Sequence, residues 1–318
     1  MTTTTLDLYP VHRWIADHFF EGQGWIYNGA ATDVTFRSGV TGKVYVCRAR
    51  DMRPGRHGQS YIAIQHFDDD WNAKSLPKLL PIITANPETL KMDTGPQDAR
   101  IFVFRGHIWV VFNMLCGDGY RRMHIYSVTG GRNTIPIRID GQDRSKAEKN
   151  WTPFVFNEEL FFIYYFAPLV ILRCDVSTGN CVVVFSNNET RNSYLRGGSP
   201  ALQTAEDRTH FYGYLHTTIP LRGDEKNKFD ASELPTPAKD TPNVYRARRF
   251  DLIFGKQGVP PKIMLGPELI FQGKQIEQVY GLGVSKKTQQ VWGILNINDK
   301  QTVVLEPVTL SKTATSDT

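Results

Sequence analysis

The chain has no run of the roughly 20 apolar residues that a membrane-spanning helix requires, and its start, Met-Thr-Thr-Thr-Thr-Leu-Asp-Leu-Tyr-Pro, has no apolar core of the signal-peptide kind. Both lead to the expectation of a soluble, cytoplasmic protein with no membrane partner. No block of Lys and Arg resembles a nucleic-acid tail, and the net charge is a mild +5 over 318 residues. Nucleic acid is therefore not expected as a partner, whereas a sugar phosphate or nucleotide is compatible with the excess. Cysteine is scarce, and Cys47, Cys116, Cys174 and Cys181 lack metal-ligand spacing. Cys174 and Cys181 flank Asp-Val-Ser-Thr-Gly-Asn and so face each other across a hairpin. The expectation is reduced thiols in a cytosolic strand pair. Helical periodicity is scarce too: only 10–20 reads as a helix, with a single turn at 77–80 as a second candidate.

Turn formers and strand formers are abundant instead: 26 Gly and 18 Pro accompany many short β-type runs bounded by Gly, Asn or Asp. One pattern repeats, a strand, a tight turn and an aromatic strand, at 101–113, 153–166 and 200–216. A further strand, such as 123–131 or 170–179, then closes the unit. The unit starts near Asp98, Trp151 and Ser199 lie about 50 residues apart, the period of a propeller blade. An earlier unit at 27–71 and a last one at 275–310 make five. The expected fold is all-β, a five-bladed β-propeller forming one catalytic domain over 1–310. The stretch 222–243, rich in Lys, Asp and Pro, reads as an exposed loop inserted in the fourth blade, and 311–318 as a disordered tail. A two-sheet sandwich is the alternative, and it needs no period.

In a propeller the innermost strands all start at one rim of the channel, so polar residues at unit starts converge. The first unit offers Asn28, then Arg48 and Arg50; the second, Asp98 and Arg100; the third, Lys149 and Asn150. The fourth offers Arg196 and His216, and the last Asn298 and Asp299. One acid amid cations and amides suits an anionic substrate and a single proton transfer. It is a poor metal site, so no metal or other cofactor is expected. It is also a poor retaining-glycosidase site, which needs a second carboxylate as nucleophile. Each residue has a structural alternative. Asp98 with Arg100 reads equally as a strand-edge ion pair, Lys149 as a solvated charge beside Glu148, Arg196-Gly197-Gly198 as a plain turn, and His216 as a structural histidine. Trp25, Trp109, Trp151 and Trp292 read as blade core, with one of them available to stack on a sugar.

The ordered set resembles glycoside hydrolase family 130, the β-mannoside phosphorylases, and more closely the protozoan β-1,2-mannosyltransferase/phosphorylases of glycosyltransferase family 108. Gln97-Asp98-Ala99-Arg100 resembles the Glu-Asp-Pro/Ala-Arg motif whose Asp is the general acid. Tyr27-Asn28-Gly29-Ala30 resembles the early Asn-Pro-Gly-Ala turn, and the strand from Tyr45 to Arg50 the Tyr-Arg-Ala strand after it. Lys149-Asn150, the turn from Arg196 to Pro200, His216 and Asp299 fall in the family's order. The resemblance implies inverting mannosyl transfer that makes, and in reverse phosphorolyses, β-1,2-linked mannose oligosaccharides. Asp98 would be general acid and base; Lys149, Asn150, Arg196 and His216 would hold the phosphate or donor; Asn28, Arg48, Arg50, Arg100 and Asp299 would hold sugar. The implied partners are mannose, β-1,2-mannooligosaccharides, GDP-mannose, and mannose 1-phosphate or phosphate. Two departures matter. Gln97 replaces the family's Glu, and Tyr165-Phe166 replaces a basic residue of the third blade. Losing one phosphate-binding cation favours synthesis from an activated donor over phosphorolysis. Other readings remain: a β-mannoside hydrolase with Asp299 or Asp51 as base, a transferase for another sugar, and a non-catalytic carbohydrate- or protein-binding propeller.

Overall fold

A computed structural model describes residues 4–36, 38–56, 58–82, 95–131, 133–141, 147–189, 192, 194–221, 243–255, 259–285 and 288–306. A short strand, β1 (Thr4–Asp7), and the helix α1 (Tyr9–Phe20) precede the first blade. That blade is β2 (Gly24–Thr35), β3 (Thr41–Asp51), β4 (Ser60–Phe67) and β5 (Lys78–Leu79), paired in that order. The second is β6 (Gln97–Phe104), β7 (His107–Leu115), β8 (Arg121–Ser127) and β9 (Ile135–Pro136). In the third, β10 (Arg138–Ile139) adds outside a meander of β11 (Thr152–Phe156), β12 (Glu159–Phe166), β13 (Leu169–Cys174) and β14 (Asn180–Ser186). In the fourth, β15 (Leu195–Gly197) and β16 (Leu202–Gln203) share one partner, β17 (His210–Pro220), which continues to β18 (Asn243–Ile253) and β19 (Lys262–Leu269). The fifth is β20 (Glu277–Val284), β21 (Val291–Ile297) and β22 (Gln301–Glu306), and β1 is its outer strand. The result is a five-bladed propeller whose last sheet is completed by the chain's first strand, which ties the ring shut.

The inner and middle strands of the blades are buried on both faces, which is why they read as dense apolar runs rather than strict alternation. Val46 and Ile64 of the first blade pack on Ile101, Val110 and Phe112 of the second. Trp109 of the second meets Trp151, Phe162 and Leu172 of the third. Phe154 and Phe161 meet Phe211 and Phe250 of the fourth, and Tyr214 and Ala247 meet Val279 and Leu295 of the fifth. Helix α1 and the residue before it seal the join between first and fifth blades: Leu8, Ile15 and Phe20 pack with Tyr45, Trp292 and Val304. Its Pro10 stands in the first turn, where a missing N–H costs nothing.

Two expectations are corrected. The segment 77–80 is not a helical turn: Lys78 and Leu79 pair antiparallel with Ile64 and Ala63 as strand β5. Cys174 and Cys181 are not free thiols; they stand directly opposite in the β13–β14 register, 4.1 Å between Cα atoms, and form a disulfide. The proposed fourth-blade insertion, apart from Asn243, and the tail 311–318 lie outside the described residues. Among the described residues, no helix is long and apolar enough to cross a membrane.

Candidate active site

At the rim where the inner strands start lies a cavity of about 370 Å³. Asn28, Arg48, Arg50, Asp98, Lys149, Asn150, Arg196, His216 and Asp299 all line it, so residues from all five blades converge. Arg100 and Asn298 do not reach it.

Two β-bulges aim the central pair. The β2–β3 register slips between Tyr27 and Ala30, and the β6–β7 register between Gln97 and Arg100. The residues at the slips, Asn28 and Asp98, have φ of 51° and 52°. A bulge turns one side chain out of the strand's alternation, and Asn and Asp tolerate the left-handed backbone best after Gly. Asn28 Nδ2 thereby donates a hydrogen bond of 2.8 Å to Asp98 Oδ1. Asn150 and Asp299, at φ 63° and 51°, share this conformation. Four such residues on one cavity mark backbone whose cost the surrounding packing sustains.

The first blade supplies a ladder of cations and rings. Trp25 is the cross-strand partner of Arg50, and Tyr27 of Arg48. Arg48 lies 4.9 Å from the Tyr27 ring centre, and Arg50 lies 5.7 Å from that of Trp25. The two rings stack at 4.4 Å. Arg48 Nε donates to Ser60 Oγ and Arg50 Nε to the Gly58 carbonyl. These bonds fix the guanidinium planes, and Arg48 Nη1 comes 3.8 Å from Asp98 Oδ1.

The third and fourth blades supply the opposite wall. Glu148 is buried and bonded to Trp151 Nε1 (3.1 Å) and the Tyr164 hydroxyl (2.8 Å). Lys149, next in sequence, lines the cavity instead of pairing on the surface as a solvated charge. Arg196 and His216 are register partners on β15 and β17. The glycines after Arg196 are not a plain turn. A Cβ on Gly197 would enter the Asn150 carbonyl, and one on Gly198 the carbonyls of Tyr214 and Val279. Only Gly permits this approach of three blades.

Arg100 holds the rim from behind. It is 1% exposed, its Nη1 donates to the carbonyls of Asp98 (2.8 Å) and Ala99 (3.2 Å), and its Nε to that of Gly198. Its guanidinium lies 3.7 Å from the Tyr280 ring centre. The expected direct contact with sugar, and the alternative strand-edge ion pair, both give way to a brace that joins the second blade to the fourth and fifth.

The two cavity acids titrate in opposite directions. Burial alone would raise Asp98, but Arg48, Arg100, Lys149 and the Asn28 hydrogen bond outweigh it and hold the carboxyl below its ordinary range. Asp299 has Arg48 alone as a favourable charge; burial and the Asp98 charge push it up to about 7. His216 is kept neutral by burial and by Arg100, Arg196 and Lys149, which lower its proton affinity far below the ordinary value. Asn28 Oδ1, Asn150 Oδ1 and His216 Nδ1 are buried without a protein partner. An amide or imidazole left so at a cavity wall is ready to bond a ligand. Asp51 is not at the cavity: Arg53 grips it with a bond of 2.9 Å. Among the described residues, no cluster of three or more His, Cys, Asp or Glu is placed to hold a metal ion.

The sequence reading missed Tyr245, Gln278 and Tyr280, which also line the cavity. Gln278 and Tyr280 open β20, the fifth inner strand, so the unit-start rule that found Asp98 reaches them once that strand is identified. It left Trp25 among the core candidates, yet Trp25 is at the cavity while Trp109, Trp151 and Trp292 are core.

Residues 129–217 match the family model of beta-mannosyltransferases. That segment contains Lys149, Asn150, Arg196 and His216, but not Asp98 or the first-blade ladder. Beta-mannosyltransferase 2 of Komagataella phaffii is 28% identical over 195 residues, 50% of this chain and 30% of that protein. The chain thus spans less than a third of the length of this curated relative. A glycosyl hydrolase from Bacteroides ovatus superposes with a TM-score of 0.58 at 14% identity, covering 88% of this chain and 83% of that one. A candidate glycoside hydrolase from Parabacteroides distasonis superposes with a TM-score of 0.56 at 15% identity, over 90% and 88% of the two chains. These structures share the fold.

Proposed function

We propose that the chain carries out inverting β-mannosyl transfer, building β-1,2-linked mannose oligosaccharides from GDP-mannose or mannose 1-phosphate. The observation that carries this reading is the ionised Asp98, fixed by Asn28 and Arg48, inside a ring of cations from separate blades. The names of the sequence relatives support the choice of sugar.

In the proposed step the acceptor hydroxyl oxygen bonds to the anomeric carbon as the bond from that carbon to the phosphate oxygen breaks. Asp98 takes the hydroxyl proton. The departing phosphate or GDP keeps the bonding electron pair, and Lys149, Arg196, Asn150 and neutral His216 stabilise its charge. Attack opposite the α-linked phosphate gives the β-linked product. Arg48, Arg50, Asn28 and Asp299 hold sugar hydroxyls, with Arg100 keeping the Asp98 backbone in place. Its neighbours keep Asp98 ionised, the form that can accept the hydroxyl proton in synthesis. The reverse, phosphorolytic step needs Asp98 protonated, which its surrounding cations oppose.

The test is incubation with GDP-mannose or mannose 1-phosphate plus mannose, followed by linkage analysis of the product. A β-1,2-linked product is expected; incorporation from neither donor sinks the proposal.

A further inference from the structure

A second cavity, of about 540 Å³, adjoins the first and is lined by Tyr9, His12 and Arg13 of α1, by Trp25, and by Lys300 in the β21–β22 turn. Trp25 lines both cavities. Its Nε1 donates to the Asp299 carbonyl at 2.7 Å, which fixes the indole where the two cavities share a wall residue. We infer that this groove holds the non-reacting units of the acceptor oligosaccharide, with Trp25 as the platform at its entrance. The inference rests on the mannosyl-transfer reading.

Charge selects a neutral occupant. The first cavity gathers Arg48, Arg50, Lys149 and Arg196 against two acids, as a phosphate-bearing donor requires. In the groove Arg13 is paired with Asp17 at 3.6 Å, and Lys300 is the other cation that lines it. His12 adds no charge near neutral pH, because burial lowers its pKa to about 4. Its Nε2 is taken by the Tyr45 hydroxyl at 2.7 Å, while its buried Nδ1 has no protein partner. An aromatic face and little net charge suit a sugar, which offers apolar faces and many hydroxyls. Tyr9, 53% exposed, adds a second ring along the groove.

The test is calorimetric binding of β-1,2-mannooligosaccharides of one to six units, with mannose 1-phosphate and GDP as separate probes. Affinity is expected to rise at least tenfold between one and four units. Tyr9→Ala should erase that rise while leaving mannose 1-phosphate binding unchanged. Asp17→Lys, an exposed change, should leave oligosaccharide affinity within about twofold. Binding of mannose 1-phosphate with affinity flat in chain length, or a length effect that survives Tyr9→Ala, overturns the groove alone. Tighter GDP binding in Asp17→Lys assigns the groove to the nucleotide and overturns the chosen occupant. If neither the oligosaccharides nor mannose 1-phosphate binds, the mannosyl reading falls and takes the groove with it.

Discussion

Strand β2 serves two buried acid–cation sets, and they behave differently. At its start Asn28 holds Asp98 beside Arg48; five residues on, Asp33 faces Lys43 at 4.0 Å. The ingredients match: an acid, a buried cation and a tryptophan nearby. Exposure does not separate them, since the side chains of Asp98 and Asp33 are 17% and 23% exposed. What differs is the balance of charge and the satisfaction of polar atoms. Three cations bear on Asp98 and win against burial. Asp33 has Lys43 alone, opposed by Asp69, so burial wins and raises it to about 6. Asp33 is also saturated by the Val284 N–H and Trp292 Nε1 of the fifth blade, and Lys43 Nζ donates to the Asp69 carbonyl at 2.6 Å. Around Asp98, by contrast, Asn28, Asn150 and His216 keep buried atoms unpaired. The first set leaves polar atoms unpaired at a cavity, and the second joins blade one to blade five.

The sharpest way to break this contrast is Asp98→Asn, nearly isosteric and still able to accept the Asn28 bond. Mannosyl-transfer rate should fall about 1,000-fold, the scale of a lost general base, with circular dichroism and thermal midpoint close to wild type. A rate within a few-fold of wild type would remove Asp98 from the chemistry and make both acids structural. Next in size is Lys149→Ala. Losing one cation from a phosphate clamp should lower kcat/KM for the donor about 100-fold and leave the acceptor KM nearly unchanged. An acceptor-side effect instead would place Lys149 on the wrong substrate.

One side of this contrast, the rim cavity, was legible in the sequence, because the blade period maps distant positions onto one rim. Asp98, Lys149 and Arg196 were found by place in the repeat, not by type. The bulges were not legible: nothing in the letters at Asn28 and Asp98 says that the register slips there, yet the slip brings the two together. Arg100 was misplaced because a guanidinium that caps three carbonyls and one that binds sugar look alike in sequence. The lock was missed altogether, since Asp33, Lys43, Asp69 and Trp292 are joined only by ring closure. The closing strand itself, β1, is too short and too polar to signal a strand. The Cys174–Cys181 pair depends on register, which hairpin length alone leaves open.

Asp33→Ala tests the lock from the other side. It leaves the Val284 N–H, the Trp292 N–H and the buried Lys43 ammonium short of a partner, so unfolding free energy should drop by about 2 kcal/mol. The lower end is chosen because Lys43 keeps the Asp69 carbonyl. Denaturant titration reads the loss, while kcat and both KM values should stay within about twofold. A fall in kcat comparable to that of Lys149→Ala would mean that the two sets are coupled along β2.

The smallest effect asks whether burial or charge governs Asp33. Its carboxyl is raised from 3.8 to about 6 in the folded chain. Between those values the unfolded chain has released the proton and the folded chain retains it, so this group's contribution to stability is lost as pH rises. Asp33→Ala lacks that term. The stability gap between wild type and variant should therefore be widest near pH 4 and narrow toward pH 6. One pKa unit is worth about 1.4 kcal/mol, and partial exposure reduces the change to the order of 1 kcal/mol. Taking the difference between the two proteins cancels Asp299, whose raised carboxyl drifts the same way. A gap that widens with pH would mean that Lys43 outweighs burial. Asp33 would then be an ion pair of the same kind as Asp98, and the contrast would rest on the unpaired atoms around Asp98 alone.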